Sequence, residues 1–429
     1  MERVEQEIAD NLQHYQELLG QVIQIPSVKG APTAQAPYGA GPKAALEQAL
    51  EIARQLGLKT GQVANKVGWA QLDGQDDEYI AVLGHLDVVQ AGENWTTPPY
   101  QLTVKDGYMY GRGVLDNKGP ILGALFALSL LKKHQVSLKH SIRVIFGTDE
   151  ESGSADIPAY LQAEKPPLGG FTPDGKYPVV YAERGMLRLQ VDLPFAEEIA
   201  WDKISGNFAA SYIPDAAEVH LKDGSVQDYV GKKSPSNAPE LGDNVIRKIA
   251  LDGQKLPGQF GKYLAWISQI SADTTGENLG VAYQDESGEL QLSLWGMELS
   301  AGLLQLSLTI RYPVTLQKED LLQKLKQNLP AGAQLKVVSE VAPLLVDRKQ
   351  PMIQIMQDVY EQVTHTDGSP VTTTGVTYAR SLPNIVAFGP SFPGQRGIAH
   401  KENEWLKVSD WQKMIQIDYL AMKKLAQEL

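Results

Sequence analysis

The residue pattern changes character twice along the chain, and this change is the strongest constraint on the fold. From about residue 40 to 183, short apolar runs alternate with helical stretches, as in an α/β sheet. Between 184 and 344, runs such as LLQLSLTI have period two, which is typical of antiparallel strands with one buried face. The α/β pattern then returns. We predict an α/β catalytic domain, formed by residues 1–183 and 345–429, that is interrupted by an α+β lid domain with an antiparallel sheet, formed by residues 184–344.

Several elements of the two α/β parts can be placed individually. The helix predicted at 120–133 has little polar surface, and Pro120 lies in its first turn, where the missing N–H costs nothing. The last helix is predicted to begin at a capping box, Ser409-x-x-Gln412. The predicted segments are a helix at 43–56, a strand at 79–83, the apolar helix at 120–133, a strand at 141–146 and the last helix at 411–427.

Composition excludes several classes of function. The 39 basic and 51 acidic residues leave a net charge of −12, which argues against a nucleic-acid partner. The chain has no cysteine, so disulfides, thiolate metal sites and cysteine nucleophiles are excluded. It has no apolar run long enough to span a membrane, and its acidic, amphipathic start does not resemble a signal peptide. We therefore expect a cytoplasmic protein without membrane or nucleic-acid partners.

His85 and Asp87 follow the apolar strand EYIAVLG. Residues two apart in an extended chain point to the same side, so the Asp87 carboxylate can take the imidazole N–H of His85. This arrangement is typical of metal-binding histidines. The alternative is a core histidine that is satisfied by a neighbouring aspartate.

Three carboxylates occupy comparable positions. Asp116 lies just before the apolar helix, where it either caps the helix or bridges two metal ions. Glu150 and Glu151 follow the strand SIRVIFG directly. Their side chains diverge, so one can bind metal while the other takes a proton from a metal-bound water. The alternative for this acidic run is a solvated loop.

Two further residues complete the candidate set. Asp174 lies in the sequence FTPDG, which is also a plain turn signal, and His400 lies in AHKENE. Ligands collect at the carboxyl ends of strands in open α/β sheets, where most of the set is predicted to lie. Imidazoles and carboxylates suit zinc, with cobalt or manganese as substitutes.

The motifs GHLDVV, YGRGVLDNKGP, GTDEESGS, FTPDG and AHKENE occur in this order along the chain. In this respect the sequence resembles the co-catalytic zinc peptidases, which include aminoacylases, succinyl-diaminopimelate desuccinylase and carnosinases. It is most similar to the bacterial peptidase V dipeptidases, because of FTPDGKYPVVYAERG and the long insertion. The resemblance implies a zinc-peptidase catalytic domain with a lid and two zinc ions as cofactors.

The resemblance also implies ligand sets. His85, Asp116 and Asp174 would hold one zinc ion, while Asp116, Glu151 and His400 would hold the other.

It further implies a catalytic pair. Glu150 would be the general base and later the proton donor, while Asp87 would orient His85.

The substrate side of the resemblance is less complete. Arg311 matches the arginine that holds the substrate carboxylate, and Thr377 and Arg380 match the substrate loop. Ser211 stands where the family has asparagine. The family's lid histidine falls within GKKSPSNAP, where our alignment places Pro235.

These features predict a metal-dependent hydrolase that cleaves small unblocked dipeptides by means of a water bridging two zinc ions. One alternative is deacylation of an N-acyl amino acid. A second is a metal-binding protein of low or no activity, because the lid histidine is missing. The long insertion favours a monomer.

Overall fold

The computed structural model describes residues 2–429, which form two compact units. The first unit comprises the residues up to Tyr181, Val346–Val371 and Val376–Leu429; the second comprises Ala182–Leu345 and Thr372–Gly375. The first unit is α/β and the second contains antiparallel sheets, so the predicted fold class is confirmed.

The helices are α1 Glu2–Ile23, α2 Ala40–Gln55, α3 Lys118–Lys133, α4 Ile157–Ala163, α5 Val245–Gly253, α6 Gly258–Ile270, α7 Lys318–Gln327, α8 Pro351–Thr364 and α9 Val408–Glu428. The strands are β1 Lys59–Val63, β2 Val67–Leu72, β3 Tyr79–His85, β4 Thr103–Lys105, β5 Tyr108–Tyr110, β6 Ser141–Gly147, β7 Gly169–Thr172, β8 Gly175–Lys176, β9 Val180–Glu183, β10 Gly185–Pro194, β11 Trp201–Gly206, β12 Tyr212–Ile213, β13 Ala216–Leu221, β14 Val226–Val230, β15 Ser234–Pro235, β16 Gln284–Asp285, β17 Gly288–Glu289, β18 Gln291–Ser300, β19 Leu303–Tyr312, β20 Gln334–Val341, β21 Leu344–Leu345, β22 Val371–Thr373, β23 Ile385–Ala387, β24 Pro390–Ser391 and β25 Trp405–Lys407.

The main sheet of the first unit has the strand order β1-β2-β6-β3-β7-β23-β9. Its centre is parallel, because β3 pairs in parallel with both β6 and β7, and β7 with β23. Every residue of β3 and β6 is buried, as expected for strands that are covered on both faces. The carboxyl ends of β3, β6 and β7 therefore meet at one edge of the sheet.

Helix α3 is almost entirely covered, because thirteen of its sixteen residues are buried. It begins at Lys118, so Pro120 lies in its first turn as predicted. Trp411 of α9 is fully buried and donates its indole N–H to the carbonyl oxygen of Gly119 at 2.8 Å. The core thus holds in place the helix that begins two residues after Asp116.

The predicted capping box of the last helix is wrong. Helix α9 begins at Val408, and the residue before it, Lys407, makes no capping hydrogen bond through its side chain. Strand β25 runs directly into the helix, and the Val408 N–H donates to the carbonyl oxygen of Gly107 at 2.9 Å. The first amide of the helix is satisfied by a tertiary contact, so Ser409 lies inside the helix instead of capping it.

The second unit is built on a four-stranded antiparallel sheet, β18-β19-β10-β20, and a three-stranded sheet, β11-β13-β14. Period two in β19 buries Leu304, Leu306, Leu308 and Ile310. These side chains share a core with α5 and α6. Within residues 2–429, no helix is both long enough and apolar enough to cross a membrane.

Candidate metal centre

His85 and His400 lie on either side of Asp116. His85 ends β3 and is fully buried, with its Nε2 atom 3.0 Å from Asp116 Oδ1 and 3.6 Å from Asp174 Oδ1. The other Asp116 oxygen, Oδ2, lies 3.0 Å from His400 Nε2, and Glu151 Oε2 lies 3.1 Å from the same nitrogen. The structure therefore brings together all five residues that the sequence predicted as ligands.

These five side chains form two groups that could each hold a metal ion, His85–Asp116–Asp174 and Asp116–Glu151–His400. The potential ligand atoms within each group lie within 4.8 Å of one another. One imidazole and two carboxylates per group are a donor set that suits zinc, cobalt or manganese. Because Asp116 belongs to both groups, the arrangement fits a carboxylate-bridged pair of metal ions.

The electrostatics of the cluster favour bound cations. Burial opposes protonation of His400, yet contact with Asp116 and Glu151 raises its pKa to about 11. Burial likewise opposes protonation of His85, whose pKa is raised well above the usual value by Asp174 and Asp116. Burial also raises the pKa of Asp174 to about 7. Without metal, the negative charge of the carboxylates therefore favours protonation of both histidines. Divalent cations would neutralise the same carboxylates in place of these protons.

Asp87 makes a different contact from the one predicted. The Nδ1 atom of His85 lies 2.9 Å from the backbone oxygen of Asp87 and 3.6 Å from its carboxylate. The Asp87 carboxylate instead accepts the backbone N–H groups of Glu150 and Glu151, at 3.2 and 3.1 Å. Asp87 thus orients His85 through its main chain and holds the two glutamates through its side chain.

Glu150 and Glu151 lie in a short 3-10 turn, Glu150–Ser152, directly after β6. The side chain of Glu151 reaches His400, whereas Glu150 belongs to neither ligand group. Burial raises the pKa of Glu150 well above its usual value, and the charge of Asp174 adds to the effect. The two neighbouring carboxyls are therefore in different surroundings, as the sequence predicted.

Two residues that follow Asp116 support the cluster and were not predicted to do so. Asn117 Oδ1 accepts the N–H of His85 at 3.3 Å, and its Nδ2 donates to the carbonyl oxygen of Pro173 at 2.5 Å. It thus joins the chain at His85 to the chain before Asp174. Lys118 is fully buried and donates to two carbonyl oxygens, that of Val22 in the last turn of α1 and that of Ile25 just after the helix. Asn117 and Lys118 both lie in the motif DNKGP, and this motif was the only sequence feature that could have pointed to their role.

Thr377 and Arg380 belong to the first unit and lie on one short turn. The Thr377 hydroxyl accepts the N–H of Ala379 at 3.2 Å, which caps the turn. Tyr378 donates its hydroxyl to Asp156 Oδ2 at 2.7 Å, and Asp156 also accepts the N–H of Thr148. This predicted substrate loop is therefore anchored to the segment that carries the two glutamates.

Ser211 and Arg311 belong to the second unit and are linked there through one serine. The N–H of Ser236 donates to the carbonyl oxygen of Ser211 at 3.0 Å, and Arg311 Nη2 donates to Ser236 Oγ at 3.3 Å. Pro235, the neighbour of Ser236, pairs with Tyr212 in the β12–β15 ladder. The positions aligned with the family's asparagine, lid histidine and arginine thus lie together in this unit.

A sequence profile of peptidase family M20/M25/M40 matches residues 81–424. The chain belongs to this family. Curated relatives include a putative dipeptidase, YtjP, of Bacillus subtilis strain 168, which is 28% identical over 87% of this chain and 88% of the relative. The Beta-Ala-Xaa dipeptidase of Lactobacillus delbrueckii subsp. lactis is also 28% identical, over 88% of each chain.

Two solved structures share the fold of this chain. Human carnosine dipeptidase 1 matches with a TM-score of 0.64 and 17% identity over 99% of both chains. The di-peptidase Dug1p of Saccharomyces cerevisiae matches with a TM-score of 0.61 and 16% identity, over 99% of this chain and 98% of that one. The predicted family and its enzyme class, metallopeptidase, are confirmed.

Proposed function

We propose that this M20 peptidase is a dipeptidase that uses two metal ions to hydrolyse the amide bond of small unblocked peptides. The observation that carries the proposal is the pair of ligand groups that share Asp116, with Glu150 beside them but in neither group. The names of the two curated relatives, a putative dipeptidase and a Beta-Ala-Xaa dipeptidase, support the substrate class.

His85, Asp116 and Asp174 would hold one ion, while Asp116, Glu151 and His400 would hold the other. Zinc is the ion we favour, with cobalt or manganese as substitutes. When bound, the two ions would supply the positive charge that lowers the pKa of the attacking water.

Glu150 is the residue that we propose takes the proton of the attacking water and passes it to the leaving amine. Asp87 would keep Glu150 in place, because its carboxylate holds the backbone of both glutamates. The Asp156–Tyr378 hydrogen bond would keep the turn of Thr377 and Arg380 in place for substrate.

The second unit would act as the lid. Arg311 would pair with the carboxylate of the substrate, since its planar guanidinium can bind both oxygens at once. Ser211 would contact the substrate close to Arg311. The contacts of both residues with Ser236 support their acting as one surface.

The test is hydrolysis of a dipeptide panel by the purified protein, supplied with zinc, cobalt or manganese, with Glu150→Ala as the decisive variant. We expect Glu150→Ala to lower kcat by about 10²–10⁴-fold while still binding two ions. Glu78→Ala, which removes an exposed acid at the far end of β3, is the matched control and should keep wild-type turnover. Undiminished turnover in Glu150→Ala would refute the proposed mechanism.

The same panel separates the alternatives. An N-acyl amino acid deacylase would cleave acylated substrates and ignore peptides with a free α-amino group. A metal-binding protein without catalysis would bind two ions and show no Glu150-dependent turnover. The observation that favours this last alternative is Pro235 in place of the family's lid histidine, since losing an oxyanion donor costs about 10²–10³ in rate. Analytical ultracentrifugation tests the expected monomer, which a tight dimer would contradict.

A further inference from the structure

Glu404 is a fully buried carboxylate, and backbone or guanidinium donors occupy both of its oxygens. Its Oε2 atom accepts from Arg112 Nη1 at 2.6 Å and from the N–H of Gly113 at 3.2 Å. Its Oε1 atom accepts the N–H groups of Leu115 and Asp116, at 2.8 and 3.0 Å. One side chain therefore holds the backbone of the loop that ends at Asp116.

Arg112 extends this contact to the segment that follows β3. The guanidinium is buried, and its Nη2 atom donates to the carbonyl oxygens of Gln90 and Ala91, both at 3.3 Å. It also lies over the ring of Trp95, 5.4 Å from the centroid. The Arg112–Glu404 ion pair, 2.6 Å long and buried on both sides, therefore joins three segments of the chain.

Glu404 also ends the segment that carries His400. The backbone of His400 is left-handed, with φ of 62°, a conformation that a non-glycine residue keeps only where its surroundings hold it. Asn403 Oδ1 accepts both the N–H and the hydroxyl of Thr96, at 2.7 Å each. The carbonyl oxygen of Glu404 accepts the N–H of Gly111 at 3.2 Å. The conformation at His400 is thus held by contacts at the end of the same segment.

We propose that Glu404, with Arg112 as its counter-ion, is a positioning residue that sets Asp116 and His400 relative to each other. It thereby determines the affinity of the ion held by Asp116, Glu151 and His400. This inference rests on the proposed metal centre.

Glu404 should affect one ion more than the other. It accepts the N–H of Asp116 and ends the segment of His400, so it positions two of the three ligands in the Asp116–Glu151–His400 group. In the other group it positions only Asp116. The other group has its own support in Asn117, which joins His85 to the chain before Asp174. Outer contacts of this kind are typically worth about 10–100-fold in metal affinity.

The perturbation is Glu404→Gln, which keeps the shape of the side chain. An amide offers one acceptor atom in place of two, and its NH₂ group would face donors. Either Arg112 and the N–H of Gly113, or the N–H groups of Leu115 and Asp116, therefore lose their acceptor. Calorimetric titration of metal-free protein with zinc measures both affinities. Anomalous scattering from zinc-loaded crystals then shows which group loses its ion.

We expect wild type to bind two ions, and Glu404→Gln to bind the ion at His400 about 10–100-fold more weakly, with a few-fold change or less for the other. The matched control is Asp418→Asn, another fully buried acid of the same unit that lies outside both ligand groups. It should leave both affinities unchanged.

Each outcome decides a different statement. If wild type binds fewer than two ions, the proposed metal centre fails, and this inference fails with it. If wild type binds two and Glu404→Gln weakens both equally or neither, the positioning role alone is wrong. If Glu404→Gln does not fold, judged by circular dichroism with chelator, Arg112→Lys decides. That variant keeps the charge and the carboxylate, and it should weaken the ion at His400 selectively but by a smaller factor.

Discussion

Asp418 of helix α9 allows a stability prediction that does not depend on any metal. Its side chain is fully buried, and neither carboxylate oxygen has a hydrogen-bond partner among residues 2–429. Burial raises its pKa well above the usual value. Asp418 is therefore protonated more readily in the folded than in the unfolded protein.

The sign of the pH dependence follows from this difference. Below the unfolded pKa of about 3.9, the carboxyl is protonated in both states and contributes no pH dependence. Above it, the unfolded chain releases the proton while the folded protein keeps it, so stability falls by about 1.4 kcal/mol per pH unit. The fall ends at the raised folded pKa, beyond which the difference is constant.

Asp418→Asn removes the titration and keeps the shape and polarity of the side chain. The variant should therefore gain on wild type by about 1.4 kcal/mol per pH unit above pH 4, until the folded pKa is reached. Urea unfolding at pH 5, 6 and 7 in the presence of chelator measures the difference, in which the other titrating groups cancel. Glu428→Gln, an exposed acid on the same helix, is the control and should give a difference that is flat with pH. A flat difference for Asp418→Asn as well would refute the reasoning.

Two further predictions concern the first unit. Arg143 of β6 donates to Tyr160 and Glu164 and lies between the rings of Trp69 and Tyr79, 4.4 and 4.5 Å from their centroids. Arg143→Met should lower the free energy of unfolding by about 2–4 kcal/mol, because charged hydrogen bonds and cation–π contacts are lost together. Urea unfolding measures this loss, and a loss below about 0.5 kcal/mol would contradict the prediction. Chelation of bound metal should lower the melting temperature, because an ion present at a concentration of about a thousand times its Kd stabilises the folded protein by about 4 kcal/mol. Scanning calorimetry with and without EDTA measures the difference. Equal melting temperatures would contradict this prediction.

The sequence predicted element types well wherever periodicity reports burial. The fully apolar strands β3 and β6, the apolar helix α3 and the period-two strand β19 were all expected, because each pattern arises from the faces that the element itself buries. The prediction of a capping box at Ser409 was wrong because the start of the last helix does not depend on local sequence alone. The Val408 N–H bonds the carbonyl oxygen of Gly107, a tertiary contact that no local pattern reveals.

The same distinction holds within the candidate site. The motifs name the five residues that the structure brings into two ligand groups, because side-chain type and position at a strand or helix end are local properties. The contact partners were another matter. Asp87 was expected to bind His85, two residues away, but its carboxylate holds amides more than sixty residues further along the chain. Glu404 lies in a motif that was recognised, yet nothing in the motif shows that it binds the loop before Asp116.

The sequence by itself therefore determined the family, the fold class and the chemical identity of the candidate ligands, since these depend on residue type and on short periodic patterns. Only the tertiary structure decided that Asp87 holds two backbone amides and that Glu404 joins the segments of Asp116 and His400. The physical reason is the range of the interactions. A hydrogen bond between residues almost 300 positions apart depends on how strand ends and loops meet after folding, and no local pattern in the chain encodes that meeting.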